Sequence, residues 1–400
     1  MKIKAKRIFL YLLIALPTAL IITFLYAMNE PDNEEYTIDL SGFTDSAHHW
    51  YDVYEKANII DPKPDQKRYE PQQISKIADN ILLYQRENGG WPKNYDVCAV
   101  LTREQKEKFL KAKNLNHTTF DNSTTFTHIE YLAKAYDYTK VKKYKEACLR
   151  GIDFTLSAQY ANGGWPQFYP LEDNYSTHIT FNDDSMIGIM RMLKNIVDDR
   201  PYYSFLDSER REKVKTAFEK GIDCILKCQI KDGDKLTAWC QQHDENDFSP
   251  AKARAYELPS ICNDESSDIV NFLMSIDNPS KEIKNSIQSA VKWFEESKLY
   301  GIRVEEIEAD EVKFSSRVNP TKRDRIVVED PNARVIWARF YQLKTYKPFF
   351  SNRESEVLET MAEVDRERRT GYSWYTYKPT RVLRRYRMWQ NKWASTQKME

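Results

Sequence analysis

The fold prediction starts from the stretch SAQYANGGWPQF at residues 157–168, because similar stretches occur elsewhere in the chain. LYQRENGGWPKN occupies residues 83–94, and the weaker LKCQIKDGDKLTAW occupies 226–239. The glutamine of this motif recurs about every 70 residues, which is long enough for two helices and a connecting loop. A fourth, more distant copy without the glutamine runs from Trp293 to Arg303.

Apolar residues with helical spacing precede the copies of this motif. Ile77, Ile81 and Tyr84 form one such stripe, and Ile152 and Leu156 belong to another. The Gly-Gly pair suits the positive φ found where helices end, and Trp-Pro favours an extended loop after it. We therefore predict stacked helical hairpins whose loops converge at one end of a toroid. An ordinary helical solenoid without a shared centre fits the same period.

Composition narrows the fold class and excludes some functions. The chain has 400 residues with 60 Lys+Arg and 60 Asp+Glu, whereas a general nucleic-acid binder needs a basic excess or a basic stripe. Hydrophobic residues make up 41% and aromatic residues 13%, which suffices for a sizeable core. Only 11 residues are glycine, fewer than the turns of a β-rich protein favour, so we predict an all-α fold.

The N-terminal residues 1–28 are predicted to be a signal peptide or an uncleaved signal anchor. Basic residues between Lys2 and Arg7 precede the apolar run from Ile8 to Met28, which at roughly 1.5 Å per residue is just long enough to cross a bilayer. The basic side stays in the cytoplasm, so the remainder would be exported from a bacterial cell: periplasmic, membrane-anchored or secreted. A buried core helix is the alternative. We expect membrane contact only through this segment.

The rest of the chain divides into three predicted parts. Residues 29–73 form an irregular tether, 74–380 the toroid, and 381–400 a basic C-terminal tail. The charges of the tail fit a solvated helix face or contact with an anionic surface. Six cysteines are few for an exported chain of this length and lack zinc-ligand spacing, so we predict buried free thiols and no disulfide framework.

Two helix starts in consecutive repeats are rich in acids and amides. Residues 118–125 contain Asp121, and residues 175–186 contain Asp183 and Asp184. Such residues commonly cap helices, which is the structural alternative. If the repeats bring both helix starts to one rim, the carboxylates offer the oxygen ligands that Ca²⁺ or Mg²⁺ prefers.

Four arginines in the second half of the chain suggest an acidic ligand. They are Arg254, Arg325, Arg339 and Arg353, of which Arg339 lies in an aromatic, apolar stretch. A buried guanidinium needs a partner, and guanidinium groups bind carboxylates through paired hydrogen bonds. Carboxylates for a cation together with these arginines indicate an acidic ligand held by both. Scattered structural ion pairs would give the same pattern.

The sequence resembles the polysaccharide lyase family 10 pectate lyases, also called pectic acid lyases. The resemblance covers about 300 residues, and its motifs occur in the family's order. They lie at 84–86 with 89–94, 121–122, 159–170, 178–186, 239–245, 253–260, 324–328, 337–341 and 366–375.

The resemblance implies an (α/α)₃ toroid, with a groove at one end, that cleaves polygalacturonate by Ca²⁺-assisted β-elimination. It implies that Asp121 and Asp183 bind calcium, with Asp184 as the neighbour that offers an alternative ligand. We expect a monomer whose partner is the polysaccharide.

The resemblance also assigns roles to the arginines. Arg339 would be the base, while Arg254, Arg325 and Arg353 would hold substrate carboxylates. An arginine base needs cationic neighbours and an alkaline medium, so we expect an alkaline activity optimum. Lys93 is a candidate contact for an outer uronate. Trp165 either stacks on a sugar or packs beneath its loop.

Two departures from the family pattern affect these assignments. Ser123-Thr124-Thr125 follows the Asp-Asn motif, where a small residue followed by Ala-Thr is usual. Glu354-Ser355 follows Arg353, where Asp-Gly is usual. The first change would alter the metal loop slightly, and the second weakens the role assigned to Arg353.

Two other functions fit parts of the sequence. A glycoside hydrolase of the α/α-toroid type would use two carboxylates, such as Asp183 and Glu257, and would not need calcium. A non-catalytic pectin-binding protein would bind the polymer without forming product.

Overall fold

The computed structural model describes residues 36–393, and eleven α-helices lie in that range. The chain divides into two compact units, Met1–Ile38 and Asp39–Glu400, and every element below belongs to the second. The helices are α1 (Thr44–Asp52), α2 (Ile74–Tyr84), α3 (Arg103–Lys111), α4 (Phe126–Thr139), α5 (Lys142–Ser157), α6 (Ser185–Val197), α7 (Ser208–Cys228), α8 (Asn263–Leu273), α9 (Lys281–Glu296), α10 (Arg366–Gly371) and α11 (Lys378–Trp393).

Helical hairpins form the repeated part of the molecule, as predicted. The pairs α4–α5, α6–α7 and α8–α9 each pack together, and α4, α6 and α8 pack side by side. Amphipathic spacing explains the packing, since α9 buries Ile283, Ile287, Ala290 and Phe294 at intervals of three or four residues. α2 packs on α4 before the first hairpin, and α11 packs on α8 and α9 after the last.

The repeated glutamine joins each repeat to the next. The Nε2 of Gln85 donates to the carbonyls of Gly89 (2.9 Å) and of Ala147 on α5 (2.9 Å). Gln159 donates in the same way to a carbonyl of its own turn and to a carbonyl of α7. Gln229 donates to a carbonyl of its own loop and to a carbonyl of α9. A buried amide that closes a turn and binds the next helix explains why glutamine recurs at this position.

The repeated tryptophan fixes each loop against the helix before it. The indole N–H of Trp91 donates to the carbonyl of Ile81 (2.8 Å), and Trp165 and Trp239 bond to Thr155 and Ile225 in the same way. The fourth copy uses Trp337, which bonds to Phe294 (2.8 Å). The fourth copy was therefore placed wrongly from the sequence, because a long insertion separates its helix from its tryptophan.

The prediction of an all-α toroid is wrong, because the structure is 44% helix and 14% strand. The strands are β1 (Ile179–Thr180), β2 (Lys231–Asp232), β3 (Lys235–Leu236), β4 (Gln242–His243), β5 (Ile261–Cys262), β6 (Ile302–Val312), β7 (Thr321–Glu329), β8 (Trp337–Ala338), β9 (Phe340–Tyr341), β10 (Pro348–Ser351), β11 (Val357–Leu358) and β12 (Tyr375–Thr376). They form one four-stranded sheet in the order β11-β10-β9-β5, together with two-stranded pairs β1-β4, β12-β8, β2-β3 and β6-β7.

Long loops after the helices supply most of these strands. β6 and β7 make an antiparallel hairpin in which Glu306 pairs with Arg325, and this hairpin is the insertion between α9 and Trp337. β9 sits between β5 and β10 and pairs with both, which brings the segments after α7 and after the insertion together. Strands of two residues are too short to show a periodic pattern in the sequence. The low glycine content also did not exclude strands, contrary to our expectation.

The N-terminal segment predicted as irregular contains a helix, and the predicted C-terminal tail begins within one. α1 lies within 29–73 and buries Trp50, and α11 crosses the boundary placed at 380 and buries Val382 and Trp389. The predicted signal segment lies outside the described residues. Among residues 36–393, none of the helices combines the length and apolar character that a bilayer span requires. All six cysteines are buried free thiols, as predicted.

Candidate active site

The tryptophan loops position the two predicted metal ligands. The N–H of Thr119 donates to the carbonyl of Trp91 (3.0 Å), and the N–H of Thr180 donates to that of Trp165 (3.1 Å). The chain reaches Asp121 two residues after the first contact and Asp183 three residues after the second. The repeat thus places one acid in the segment before α4 and the other in the segment before α6.

The backbone around both acids is strained. Asn122, Ser123, Thr125, Asp183 and Asp184 all have positive φ, between 49° and 65°. Non-glycine residues adopt this region at an energetic cost and cluster at functional sites when they do. The surrounding fold therefore holds these two turns in place against a local preference for other conformations.

The two carboxylates lie close enough to influence each other's ionisation. Burial and the negative charge of Asp121 raise the pKa of Asp183 to about 7, although Arg254 and Arg339 oppose the rise. Burial disfavours ionisation of Asp121 as well, but the ammonium of Lys93 outweighs it and lowers the pKa of Asp121. Two buried acids that both feel the charge of Arg254 make a compact, highly charged site.

Lys93 lies in this site as the ion-pair partner of Asp121. Its Nζ is 2.6 Å from Oδ2 of Asp121, and its pKa is raised because that carboxylate and Glu55 outweigh the effect of burial. The other oxygen of Asp121, Oδ1, is buried and has no hydrogen-bond partner by distance and angle among residues 36–393, although the side chain of Gln167 lies near enough to help lower the pKa of this carboxyl. A buried carboxylate oxygen without a donor fits a position that takes a cation.

Asp184 points to a different neighbour. Both of its carboxylate oxygens accept hydrogen bonds from Nη1 of Arg191 at 2.6 Å. Asp183 instead accepts a hydrogen bond from Asn182 (2.5 Å) and faces Asp121. The geometry favours Asp183 over Asp184 as the second metal ligand.

A separate group with ligand atoms suited to a metal lies at the end of the β1–β4 pair, with one residue before β1 and two after β4. One ligand atom each from His178, Asp244 and Glu245 lies within 4.8 Å of the others. His178 Nδ1 and Glu245 Oε2 are hydrogen-bonded to each other at 2.9 Å. This pairing accounts for their proximity without a metal ion.

Arg339 lies between β8 and β9 with its guanidinium enclosed by the site. Its Nη2 donates to Asn182 Oδ1 (3.2 Å) and to Glu265, and the ring of Tyr372 lies 4.5 Å away. Burial alone would lower its pKa, but the carboxylate of Glu265 dominates and raises it well above the usual value. Its Nε is buried and has no hydrogen-bond partner in the part of the chain that the structure describes.

Arg254 approaches the same site from the loop between β4 and β5. Its Nε donates to Glu257 (2.7 Å), and its guanidinium lies 5.9 Å from the ring of Tyr372. Its positive charge acts on both Asp121 and Asp183. The side chain is 38% exposed, compared with 8% for Arg339, so Arg254 is the more accessible of the two.

Arg325 and Arg353 lie further out. Arg325 extends from β7 and donates through Nη1 to the carbonyl of Tyr372 (3.3 Å), so the β6–β7 hairpin reaches the site. Arg353 makes a two-point contact with Glu367 (2.9 and 3.0 Å) and remains half exposed. That ion pair raises the pKa of Arg353.

Trp165 has no exposed surface, so the alternative of sugar stacking does not hold for it. Its ring packs under the loop, and its N–H is used by the carbonyl of Thr155.

Glu265 is a site residue that the sequence analysis missed. It lies on α8 in the third copy of a motif, since Asn263-Asp264-Glu265-Ser266 matches Asn182-Asp183-Asp184-Ser185. The loop contact is repeated too, because the N–H of Cys262 donates to the carbonyl of Trp239 (2.7 Å). Extending the repeat comparison past the glutamine motif would have found it.

Comparisons with known proteins identify the family of the chain. The family model for pectic acid lyase matches residues 85–383. A search of curated proteins found no match.

Two solved structures are similar to this chain. A family 10 polysaccharide lyase from Cellvibrio cellulosa, an aspartate-to-alanine mutant in complex with trigalacturonic acid, is 32% identical, with a TM-score of 0.66 over 79% of this chain and 92% of that one. Another structure of the family 10 lyase from the same organism is 29% identical, with a TM-score of 0.66 over 88% of this chain and 98% of that one. The protein belongs to the pectic acid lyase family and is a polysaccharide lyase.

Proposed function

We propose that this lyase cleaves polygalacturonate by Ca²⁺-assisted β-elimination and releases 4,5-unsaturated oligogalacturonates. The observation that carries the proposal is the convergence of Asp121, Asp183, Arg254 and Arg339, whose charges act on one another in one site. The complex of a related lyase with trigalacturonic acid supports an acidic galacturonide as the substrate class.

Asp121 and Asp183 are the residues that would hold calcium. The unpartnered Oδ1 of Asp121 and the mutual repulsion of the two carboxylates are features that a divalent cation relieves. When bound, calcium supplies Lewis-acid stabilisation of negative charge on a uronate carboxylate. Lys93 is the competing cation at Asp121 in its absence.

The protein's own side chains manage substrate charge and the proton. The C5 proton of a uronate is α to its carboxylate, so its removal builds negative charge beside an anion. One guanidinium holds that carboxylate through paired hydrogen bonds. A second, acting as neutral guanidine, accepts the C5 proton. The C5–H electron pair forms the C4=C5 double bond, the C4–O4 bond breaks, and the departing oxygen is protonated by solvent.

Two arginines are candidates for the base, although each has a glutamate partner that raises its pKa and so favours the protonated form, contrary to the cationic surroundings expected from the sequence. Arg339 is the residue proposed from the sequence, and it lies against Asn182 beside Asp183. Arg254 is the second candidate, favoured by its greater exposure and by its influence on both aspartates. Whichever is the base, the other is suited to hold the uronate carboxylate.

The competing functions fit the site less well. A hydrolase would need Glu257 protonated or free to attack. Burial favours its neutral form, but the ion pair with Arg254 prevails and lowers its pKa, and Tyr372 also donates to it (2.9 Å). A pectin-binding protein without activity would have no need for the strained, paired acids.

The direct test is ultraviolet absorbance of the unsaturated product from polygalacturonate. We expect the absorbance to rise with calcium and to stop rising after EDTA is added. Reducing ends released without this absorbance, and unaffected by EDTA, would identify a hydrolase. Polymer binding without product would identify a binding protein.

A further inference from the structure

A groove of about 470 Å³ lies between the start of α9 and the end of α11, outside the site described above. Two indole rings, two ammonium groups, two amides and one carboxylate line it. They belong to Trp389, Trp393, Lys281, Lys284, Asn285, Gln288 and Glu282.

The groove and the candidate active site lie at opposite ends of the same helices. Lys378, at the start of α11, bonds to Asp264, the neighbour of Glu265 (2.7 Å). Trp389 comes eleven residues later, about 16 Å further along the helix axis. α9 runs the other way: it begins in the groove at Lys281 and near its end Trp293 bonds to Asn263 (2.7 Å). A ligand in the groove would therefore leave the active site free.

The charge of the groove favours an anion. Lys281 and Lys284 form no ion pair with any residue between 36 and 393. Both belong to the first turns of α9, where the positive end of the helix dipole adds to their charge. Among the described residues that line the groove, Glu282 is the single carboxylate that opposes them.

The aromatic and amide groups favour a sugar ring. Trp393 is partly exposed; the ammonium of Lys392 lies 4.5 Å from the centre of its ring, and the remaining indole surface is apolar and suits the C–H groups of a sugar. Trp389 is only 6% exposed, yet its indole N–H has no acceptor within the described part of the chain. Because this N–H is itself buried, Trp389 contributes apolar ring surface to the wall of the groove rather than a hydrogen-bond donor. Asn285 and Gln288 add both donors and acceptors for hydroxyl groups.

We propose that this groove is a second, non-catalytic site that binds uronate units of polygalacturonate. The inference rests on the proposed function, which supplies a polymer whose every ring carries a carboxylate. Ammonium groups, amides and an indole face together match an acidic sugar better than a lipid headgroup or a neutral glycan. Such a site holds the polymer near the enzyme between cleavage events.

Affinity electrophoresis in gels containing polygalacturonate and EDTA tests the proposal without cleavage. Replacing both lysines (Lys281→Gln with Lys284→Gln) should weaken polymer binding roughly tenfold, because two partly exposed ion pairs with uronate carboxylates of the polymer are lost. Trp393→Ala should weaken it as well. Lys292→Gln is the matched control, because Lys292 lies on the same helix, is 69% exposed and does not line the groove. Turnover of a short oligogalacturonide should be unchanged in all of these variants.

Three outcomes would overturn the proposal. They are unchanged polymer affinity in both the lysine and the Trp393 variants, equal loss in the Lys292 control, and binding of anionic phospholipid vesicles but not of polygalacturonate through these residues. The result is separable from the proposed function. The wild-type protein could bind the polymer through the groove and yet form no unsaturated product. That result would support the groove as a binding site and reject the lyase mechanism on this polymer.

Discussion

Asp183 is the residue whose ionisation the surrounding site controls most strongly. Burial and Asp121 raise its pKa to about 7, while Lys93 keeps Asp121 ionised. Calcium needs ionised carboxylates, so protons compete with it at Asp183. Because the raised pKa makes the protonated form dominant below about pH 7, calcium affinity should be lost as the pH falls through that value.

We predict that calcium affinity, measured by titration calorimetry, is nearly constant above about pH 7 and falls about tenfold per pH unit below it. The comparison variant is Asp183→Asn, which should bind weakly at every pH. An affinity that stays constant down to pH 5 would show that Asp183 is not a ligand.

The structure also predicts opposite effects for neighbouring aspartates. In calcium-free protein at pH 8, Asp183→Asn should raise the melting temperature, since it removes repulsion with Asp121. Asp184→Asn should lower it, because it weakens the contact with Arg191. Scanning calorimetry of both variants checks this. A fall of similar size in each would contradict the assignment of Asp183 to the paired site.

The roles of the two arginines can be separated by pH-dependent kinetics. Both guanidinium groups have a raised pKa through their glutamate partners, so we expect activity to increase from neutral to alkaline pH. Replacing the arginine that acts as base by lysine should reduce kcat by at least about a hundredfold and change the pH dependence of kcat. Lysine at the carboxylate-binding position should mainly raise KM. Unchanged kinetics in Arg339→Lys would remove Arg339 from the mechanism.

At the scale of single residues, the sequence predicted the acids and arginines that converge but not how they pair. Lys93 was expected to reach an outer uronate, yet it neutralises Asp121. Arg339, for example, pairs with Glu265, which lies 74 positions earlier in the chain. A buried charge requires a partner, but only the fold determines which residue supplies it.

At the scale of elements, the loop after each tryptophan is the unit that carries the site. The glycine two residues before Trp91 and the one two residues before Trp165 have positive φ, as predicted, but they lie in the turn beyond the helix end rather than at the end itself. A Cβ on Gly163 would lie 2.1 Å from the carbonyl oxygen of Lys220, so the turn packs directly on the next repeat.

This close contact gives a stability prediction. Gly163→Ala should destabilise the fold by more than about 2 kcal/mol, through strain at positive φ and the clash with backbone. Gly233→Ala shares the positive φ, but its Cβ would meet no described atom within 4 Å, so it should cost only about 1 kcal/mol. Equal loss in both variants, measured by urea unfolding, would argue against the packing between repeats.

Elements without helical periodicity escaped the sequence analysis. The β6–β7 hairpin carries alternating charged and apolar residues and separates α9 from its tryptophan, so the fourth copy was misplaced. The short strands near the site arise only when distant loops pair, as β5 does with β9. Local sequence carries little information about such pairing.

At the scale of the whole molecule, the repeat arrangement follows from the sequence, whereas the fold class does not. The glutamine and tryptophan motif identified the helical hairpins, because each copy forms the same local contacts. The result is a set of helical hairpins with strand-rich loops gathered around Asp121, Asp183, Arg254 and Arg339. That arrangement belongs to the pectic acid lyase family.

The most direct test of this account is a calcium titration of unsaturated product formation from polygalacturonate. Wild type and Asp184→Asn should respond to similar calcium concentrations, while Asp183→Asn should need far more calcium or remain inactive. Full activity of Asp183→Asn at the wild-type calcium requirement, or product formation that persists in EDTA, would contradict the central claim that Asp121 and Asp183 together hold the catalytic cation.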